Sequence, residues 1–229
     1  MSGVIWINES DPPEALPPSR FALREPNGLL AVGGALTPEW LVHAYRKGVF
    51  PWYSEGQPIL WWTPDPRAVL FPEEFSCSRS LTKSIRNRGY ETRIDTAFGA
   101  VVAACAEPRQ REPGTWITPA MHRSYVELHE RGLAHSIETW SEGQLVGGLY
   151  GVALGRVFFG ESMFARARDA SKVALARLVA ECLERGIVLI DCQMATDHLA
   201  SLGSRSIPRS DFESRLAIEC DQDVRLWRR

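Results

Sequence analysis

The period of the hydrophobic residues changes along the chain, and these changes predict where strands and helices lie. The most regular stretch spans residues 157–193 and starts with a short β-prone run, Val157–Phe159, that stops at a glycine. A helical period follows, capped at its start by Asp169 or Ser171 and closed by Gly186. The inward face of this helix is expected to carry Val173, Ala174, Leu178 and Cys182. The next four residues are apolar, so the stretch predicts a strand, a crossover helix and a second strand buried on both faces.

The second strand ends in residues that can carry chemistry, Asp191, Cys192 and Gln193. Because side chains alternate along a strand, Asp191 and Gln193 are expected on one face and Cys192 on the other. Glu161 closes the preceding strand, and open α/β sheets bind ligands at the carboxyl ends of their strands. Two interpretations of Asp191 stay open. It is either a structural carboxylate bonded to a neighbouring loop, or one of two carboxylates that converge with an amide on one cleft.

The first 65 residues differ from the rest, because they hold five of the eight tryptophans and are rich in proline and glycine. One helix is predicted inside, with Thr37 as its cap, Pro38 at its first position and Gly48 after its end. Most of these rings are expected to pack in a core, but Trp52 lies on a loop and is a better candidate for stacking on a ligand. We therefore divide the chain into a small aromatic-rich N-terminal lobe, residues 1–65, and an α/β domain, residues 66–229.

A short helix from Ser78 to Arg88 carries a block of positive charge. Leu81 and Ile85 are predicted to turn inward at i and i+4. The outward side is expected to carry Arg79, Lys83, Arg86 and Arg88. Such a run is either an ordinary solvated face or a contact for a phosphate backbone.

Composition and charge restrict the function classes. The net charge is −2, so any attraction to nucleic acid must come from a local basic surface. The N-terminus lacks the basic and apolar regions of a signal peptide, and no apolar run approaches membrane-spanning length. The five cysteines form no CxxC pair, which argues against secretion and against a zinc site. We expect a reduced, cytoplasmic compartment, with neither a metal nor a cofactor.

The order of hairpin, crossover helix and buried strand is that of a GNAT-type acyltransferase. An acyl-CoA enzyme of that type needs a glycine-rich loop before the crossover helix, where backbone N–H groups hold the pyrophosphate. Residues 161–185 contain no glycine, which is evidence against CoA as the donor. The chain also lacks a GxSxG elbow and a GxxxxGK[ST] loop. Cys192 points away from Asp191 and is better explained as a small core residue than as a nucleophile.

Six segments resemble the leucyl/phenylalanyl-tRNA–protein transferases, nearly end to end and in that family's order. They are LLAVGG (29–34), GVFPWY (48–53), WWTPDPR (61–67), FGESMF (159–164), LIDCQ (189–193) and DHLASLG (197–203). The resemblance implies an α/β (α+β) fold, in which a small N-terminal lobe accompanies a GNAT-like acyltransferase domain. It also implies that Leu or Phe, and Met less well, moves from its tRNA to the N-terminal Arg or Lys of a protein, which is thereby marked for N-end rule degradation.

By the same resemblance, Asp191, Gln193 and Glu161 are the catalytic residues. Asp191 would bind the incoming amine and accept its proton, directly or through Gln193. Glu161 would hold the α-amino group of the donor amino acid. The ester bond is already activated, so positioning and proton removal are most of the task.

The resemblance further implies a set of binding residues. An apolar pocket for the donor side chain would be lined by Leu149, Phe158, Leu178 and Ile190. Trp52 and Trp116 would grip the terminal adenosine, and Tyr45 and Tyr125 belong to the same substrate-binding set. The basic helix would contact the tRNA. The chain departs from the family at Leu149, where methionine is common, and at Thr196, where asparagine is common. We expect a monomer that binds aminoacyl-tRNA and proteins with N-terminal Arg or Lys, without a membrane.

Overall fold

A computed structural model describes residues 3–107, 117–225 and 227 of the chain. Its strands form two sheets. The strands of the first sheet lie within residues 5–62, and those of the second lie within residues 67–207. The division of the strands falls at the place where the composition changes. The mixed α/β class predicted from the sequence is confirmed.

The N-terminal sheet has four strands in the order β1-β2-β4-β3. Its strands are β1 (Ile5–Ile7), β2 (Leu29–Gly33), β3 (Phe50–Pro51) and β4 (Leu60–Trp62). The second sheet has seven strands in the order β11-β5-β10-β9-β8-β7-β6. Its strands are β5 (Arg67–Leu70), β6 (Glu91–Ile94), β7 (Ala134–Ser141), β8 (Gln144–Leu154), β9 (Val157–Ala165), β10 (Leu189–Gln193) and β11 (Arg205–Ile207). Within this sheet only β9 and β10 pair in parallel.

Seven α-helices lie among the described residues. They are α1 (Pro38–Arg46), α2 (Arg79–Asn87), α3 (Phe98–Ala106), α4 (Pro119–Glu130), α5 (Ala170–Arg185), α6 (Asp197–Ala200) and α7 (Arg209–Glu219). None of the described helices is long and apolar enough to cross a membrane. The start of α1 follows the sequence signal, since the Thr37 side chain accepts a hydrogen bond from the Trp40 N–H. After α1, Gly48 takes a left-handed conformation (φ 72°) that suits glycine.

The crossover unit predicted from the hydrophobic pattern is confirmed as β9, α5 and β10. The prediction that the first strand stops at Gly160 is wrong, because β9 continues to Ala165. Asp169 precedes α5 but makes no capping hydrogen bond to it, and its Oδ2 instead accepts from Ser84 Oγ of α2 at 2.7 Å. Gly186 ends α5 in the left-handed conformation, as predicted.

The seven-stranded sheet has a different cover on each face. On one face α5 and α2 pack, with Leu175, Leu178 and Leu81 in one apolar cluster. On the other face lie α1, α3, α4, α7 and the N-terminal sheet, which share a larger cluster. Tyr45 of α1, Phe159 of β9 and Phe212 of α7 all belong to that larger cluster, so the N-terminal sheet and the main sheet share one core.

Candidate active site

The site lies where the two parallel strands of the crossover unit separate. β9 and β10 pair as far as Phe159 and Asp191 and then separate, although both strands continue. On its other side β9 bulges against β8, where the register shifts between Tyr150 and Gly151. A Cβ at Gly151 would lie 2.2 Å from the Phe159 carbonyl oxygen, so only glycine allows this close approach. The bulge leaves Glu161 as the extra residue of β9, beside the gap that opens after Asp191.

Asp191 is completely buried and forms an ion pair with Arg67, which is also completely buried. Arg67 Nε donates to Asp191 Oδ1 at 2.8 Å and Arg67 Nη2 donates to Oδ2 at 2.7 Å. This two-point contact occupies both carboxylate oxygens. Because Asp191 is completely buried behind this contact, an incoming amine cannot reach it directly, and the geometry favours the indirect role, through Gln193.

Gln193 connects Asp191 to the second carboxylate. Its backbone N–H donates to Asp191 Oδ1 at 2.9 Å, and its side-chain Nε2 donates to Glu161 Oε1 at 2.9 Å. The Gln193 backbone is left-handed (φ 63°), and the register of β10 shifts between Asp191 and Gln193. The prediction that side chains alternate regularly between the two faces of the sheet is therefore wrong at Asp191–Gln193. Asp191 and Gln193 nevertheless bond to groups on one side of the sheet, whereas Cys192 packs against the α5 cluster.

The Glu161 carboxyl group and the hydroxyl groups of Tyr45 and Tyr125 contact one another in a closed ring. Tyr45 donates to Glu161 Oε1 at 2.7 Å, Tyr125 donates to Oε2 at 2.6 Å, and the two phenol oxygens are 2.7 Å apart. Three oxygen–oxygen contacts need three protons, and the two phenols supply only two. A neutral, protonated Glu161 supplies the third. In that state Glu161 donates to one phenol, this phenol donates to the other, and the other donates back to Glu161, so the ring is fully hydrogen-bonded.

Burial raises the pKa of Glu161 from 4.5 to about 7, opposed by the hydrogen bonds from Tyr125 and Tyr45, while the Asp191 charge raises it further. Burial likewise raises the pKa values of both phenols well above 10. The site thus holds a carboxyl group that changes charge near neutral pH. Such a group can bind an ammonium ion when ionised and can hold a proton when the site is empty.

The raised pKa of Glu161 predicts a pH dependence of stability. The folded-state pKa of about 7 exceeds the ordinary value of 4.5, so the folded protein binds more protons than the unfolded chain between these pH values. The contribution of Glu161 is therefore fully present below about pH 4.5 and is lost as the pH rises to about 7, by up to about 3 kcal/mol.

Urea unfolding of the wild type and of Glu161→Gln at several pH values tests this. The other titrating groups contribute equally to the free energy of unfolding of both proteins, so their contributions cancel in the difference. We expect the free energy of unfolding of the wild type to fall relative to that of Glu161→Gln as the pH rises from 5 to 8. A difference that is constant over this range would contradict the assignment of the titrating group.

The four residues predicted to line the donor pocket are brought together. Leu149, Phe158, Leu178 and Ile190 belong to the apolar cluster on the α5 face, and each is at most 3% exposed. Phe158 and Ile190 pair with each other in register immediately before the gap between β9 and β10. The apolar cluster and the polar groups therefore meet at this gap. A donor side chain can enter the cluster only after its packing opens.

The tryptophans predicted to bind adenosine are only partly described. Trp52 is 38% exposed, and its ring meets that of Trp62 edge-on, with the centroids 5.7 Å apart. Trp62 Nε1 donates to the Trp52 carbonyl oxygen at 2.7 Å, which fixes the loop that carries the exposed ring. Trp116 lies outside the described residues. The stacking role of both rings stays a prediction.

The basic helix α2 presents its charges to solvent. The four predicted tRNA contacts, Arg79, Lys83 and Arg86 of α2 and Arg88 immediately after it, are all exposed. Leu81 is buried, as expected, but the inward placement of Ile85 is wrong, since its side chain is 39% exposed. Ser84, which takes the inward position instead, bonds Asp169 beside α5. The helix is thereby held against the start of the crossover helix.

Cys192 is unsuited to act as a nucleophile. Burial raises the pKa of its thiol from 9.0 to about 12, and the Asp191 charge adds to the shift. This agrees with the interpretation of Cys192 as a core residue.

The sequence does not predict the buried ion pair of Arg67 with Asp191, although Arg67 ends one of the six segments that resemble the family. The sequence does contain a signal. Arg67 begins the otherwise apolar strand β5, and Asp191 follows the apolar residues of β10. Such charges are rarely buried without a partner. Only the pairing of β5 with β10 shows that Arg67 and Asp191 are neighbours.

Two family models match the chain. Residues 69–217 match the model described as leucyl/phenylalanyl-tRNA protein transferase, and residues 34–65 match the model for the N-terminal domain of the same family. Among similar proteins, the leucyl/phenylalanyl-tRNA–protein transferase of Stutzerimonas stutzeri (strain A1501) is 58% identical over 217 residues, which are 95% of each chain. That of Pseudomonas entomophila (strain L48) is 61% identical over 206 residues, 90% of this chain and 91% of the relative.

Solved structures show weaker likenesses. The structure of L-PGS from Bacillus licheniformis aligns with 73% of this chain and 55% of its own, at 13% identity and a TM-score of 0.44. A GCN5-related N-acetyltransferase from Kribbella flavida aligns with 72% of this chain and 59% of its own, at 11% identity and a TM-score of 0.39. The chain spans between a half and two thirds of each, and likenesses this weak do not bear on the function.

Proposed function

The chain belongs to the leucyl/phenylalanyl-tRNA–protein transferase family, and we propose that it moves Leu or Phe, and Met less well, from aminoacyl-tRNA to the N-terminal Arg or Lys of acceptor proteins. It is a transferase. The transferred residue would mark the acceptor for degradation by the N-end rule. We further propose that the enzyme works as a monomer in the cytoplasm.

The observation that carries this proposal is the contact between Gln193 and Glu161 at the gap between the strands. The reaction brings two amines close to one activated carbonyl. The donor α-amino group stays on the donor α-carbon, while the acceptor α-amine attacks the ester carbonyl and displaces the tRNA ribose oxygen. After losing its proton, the Glu161 carboxylate would bind the positively charged α-ammonium group of the donor. The ammonium group would then balance the negative charge of Glu161 inside the site. The amide of Gln193 lies beside it, where the acceptor amine must arrive.

Orientation of the attacking amine would use Gln193. The side-chain Nε2 already donates to Glu161, so the amide oxygen is the atom left to accept a hydrogen bond from the amine. As the new C–N bond forms and the ester C–O bond breaks, the amine proton would pass to the ribose oxygen that leaves with the tRNA. Asp191 would act behind it, by fixing the Gln193 backbone through the bond to its N–H. Of the two roles considered for Asp191, direct and through Gln193, we therefore propose the second.

A CoA-dependent acyltransferase is the rival function. The segment that leads into α5 contains no glycine, and its last residue before the helix, Asp169, is a carboxylate with 15% of its side chain exposed. A negative charge at this position opposes a pyrophosphate group at the start of the helix. The segment therefore favours aminoacyl-tRNA over acyl-CoA as the donor.

Removing the positive charges of α2 should weaken tRNA binding. We expect the variant Arg79→Gln, Lys83→Gln, Arg86→Gln, Arg88→Gln to bind all tRNA sequences more weakly. Each lost phosphate contact should reduce the slope of log affinity against log salt by roughly one unit. Filter binding at several salt concentrations measures both effects.

Transfer from aminoacyl-adenosine separates tRNA binding from folding, because this minimal donor lacks the phosphate backbone. Its rate should barely change in the four-site variant. An equal loss with both donors would mean that α2 matters for folding and not for tRNA.

Shortening one wall of the apolar cluster should change the choice of donor. Leu149→Ala should lower transfer of Phe and Leu relative to Ile by at least about tenfold, since each missing methylene in such a pocket is worth about 1–3 kcal/mol. Leu149→Met is the matched control, because it conserves volume and should leave the preference unchanged. The measurement is a competition among tRNAs charged with Leu, Phe, Met, Ile and Val. Equal preferences in both variants would exclude Leu149 from the donor pocket.

Acceptor specificity provides the test of the proposed function. Peptides that differ only in their first residue, Arg, Lys, Met or Gly, are offered with labelled Phe-tRNA, and the products are identified by mass spectrometry. We expect Phe on the N-terminus of the Arg and Lys peptides alone. Transfer to the Met or Gly peptides at similar rates would refute the proposed acceptor class.

A further inference from the structure

Arg67 lies at the junction of the two sheets, where every polar group of its side chain has a partner. Nε and Nη2 bind Asp191, and Nη1 donates to the Gly48 carbonyl oxygen at 3.0 Å. The guanidinium lies between two rings, 4.8 Å from the centroid of Phe50 and 4.7 Å from that of Phe212. Gly48 and Phe50 follow α1, whereas Phe212 belongs to α7. The orientation of the guanidinium is therefore fixed from three directions.

Complete burial means that Arg67 itself cannot touch a substrate. Its influence must pass through Asp191, whose Oδ1 accepts from both Arg67 Nε and the backbone N–H of Gln193. This second bond holds Gln193 in a left-handed conformation, which residues other than glycine rarely adopt. With the backbone so held, the Gln193 side chain reaches Glu161. A continuous series of hydrogen bonds thus joins Arg67 to the reacting groups.

We propose that Arg67 is a positioning residue for aminoacyl transfer: it locks the Asp191 carboxylate in the orientation that fixes the Gln193 backbone and directs its amide to Glu161. The inference rests on the proposed function, because it concerns the same site. Lysine cannot replace arginine in this role, since an ammonium group lacks the planar, two-point contact with a carboxylate.

Arg67→Lys tests this, with two readouts taken on the full-length protein. We expect kcat for transfer from Phe-tRNA to an Arg peptide to fall about tenfold to a hundredfold, because small displacements of reacting groups have effects of this size. KM for Phe-tRNA should stay within twofold, since Arg67 contacts no group proposed to bind tRNA. Hydrogen exchange at the backbone N–H of Gln193, measured by NMR, should be at least tenfold faster than in the wild type.

Arg185→Lys is the matched control for a purely structural role. Arg185 is also buried and pairs with a buried carboxylate, that of Glu181 at 2.8 Å, but on α5 and away from Gln193. This variant should lose stability while keeping wild-type kcat and wild-type exchange at Gln193. Wild-type kcat in folded Arg67→Lys, a rise in KM alone, or unchanged exchange at Gln193 would overturn the proposal.

A double variant covers the case in which Arg67→Lys does not fold. Arg67→Met with Asp191→Leu replaces the buried pair by apolar side chains, a change that buried ion pairs often tolerate. We expect it to fold, to lose at least as much kcat, and to expose the Gln193 amide to exchange. Wild-type exchange there would overturn the proposal. A wild-type protein that transfers nothing from Phe-tRNA would instead refute the proposed function, while the exchange measurement would still decide the role of Arg67.

Discussion

Gln193→Ala should lower the rate of aminoacyl transfer at saturating Phe-tRNA by about a hundredfold to ten-thousandfold, the usual contribution of a group that assists proton transfer. The substitution removes the amide that lies beside Glu161 but leaves the backbone N–H that Asp191 binds. Gln193 is only half-buried and lies near the end of the sheet, so the fold should survive the change. Steady-state kinetics with an Arg peptide as acceptor provides the measurement.

Gln144→Ala is the matched control, because Gln144 is an exposed glutamine at the first position of β8, where it pairs with Ser141 of β7. It should transfer at the wild-type rate. If Gln193→Ala also kept the wild-type rate, the role given to the Gln193 amide would be wrong.

Asp191→Ala should destabilise the fold by about 3–5 kcal/mol, because it leaves the guanidinium of Arg67 buried without its counter-charge. Both partners of this ion pair are completely buried, so solvent cannot compensate for the missing carboxylate. Urea unfolding followed by circular dichroism measures the loss. The loss of transfer in this variant therefore has to be measured on the folded fraction.

Glu74→Ala provides the comparison with an exposed pair of the same geometry. Arg205 contacts Glu74 through Nε at 2.9 Å and Nη2 at 3.2 Å, but both side chains are exposed. Its removal should change the stability far less than the loss of Asp191 does, because water and salt screen an exposed ion pair. Equal losses in the two variants would show that burial of the Arg67–Asp191 pair is not what makes it important.

The sequence was sufficient for the strand, helix and strand of the crossover unit. The helical period of α5, its closing glycine and the apolar run of β10 are local signals that tertiary contacts do not override. Gly151 in β8 is a local signal of another kind, because a glycine inside a strand is typical of a close backbone approach, and it lies opposite the bulge that carries Glu161.

The interior of the site could not be predicted in the same way. Tyr45 and Glu161 are separated by 116 positions, and Arg67 and Asp191 by 124, so no local period relates either pair. Strict alternation at Asp191 and Gln193 failed because the hydrogen bond from the Gln193 N–H to Asp191 pulls the backbone out of the strand conformation. Such contacts depend on the order of strands in the sheet, which hydrophobic patterning does not specify.

The most direct test of the proposed function compares two donors on one acceptor. Labelled Phe-tRNA and labelled acetyl-CoA are offered separately to the wild-type protein, with a peptide that begins with Arg, and label on the peptide is measured. We expect label from Phe-tRNA, none from acetyl-CoA, and a large loss of the Phe-tRNA label in Gln193→Ala. Label from acetyl-CoA, or no label from either donor, would contradict an aminoacyl-tRNA transferase with its active site at Glu161 and Gln193.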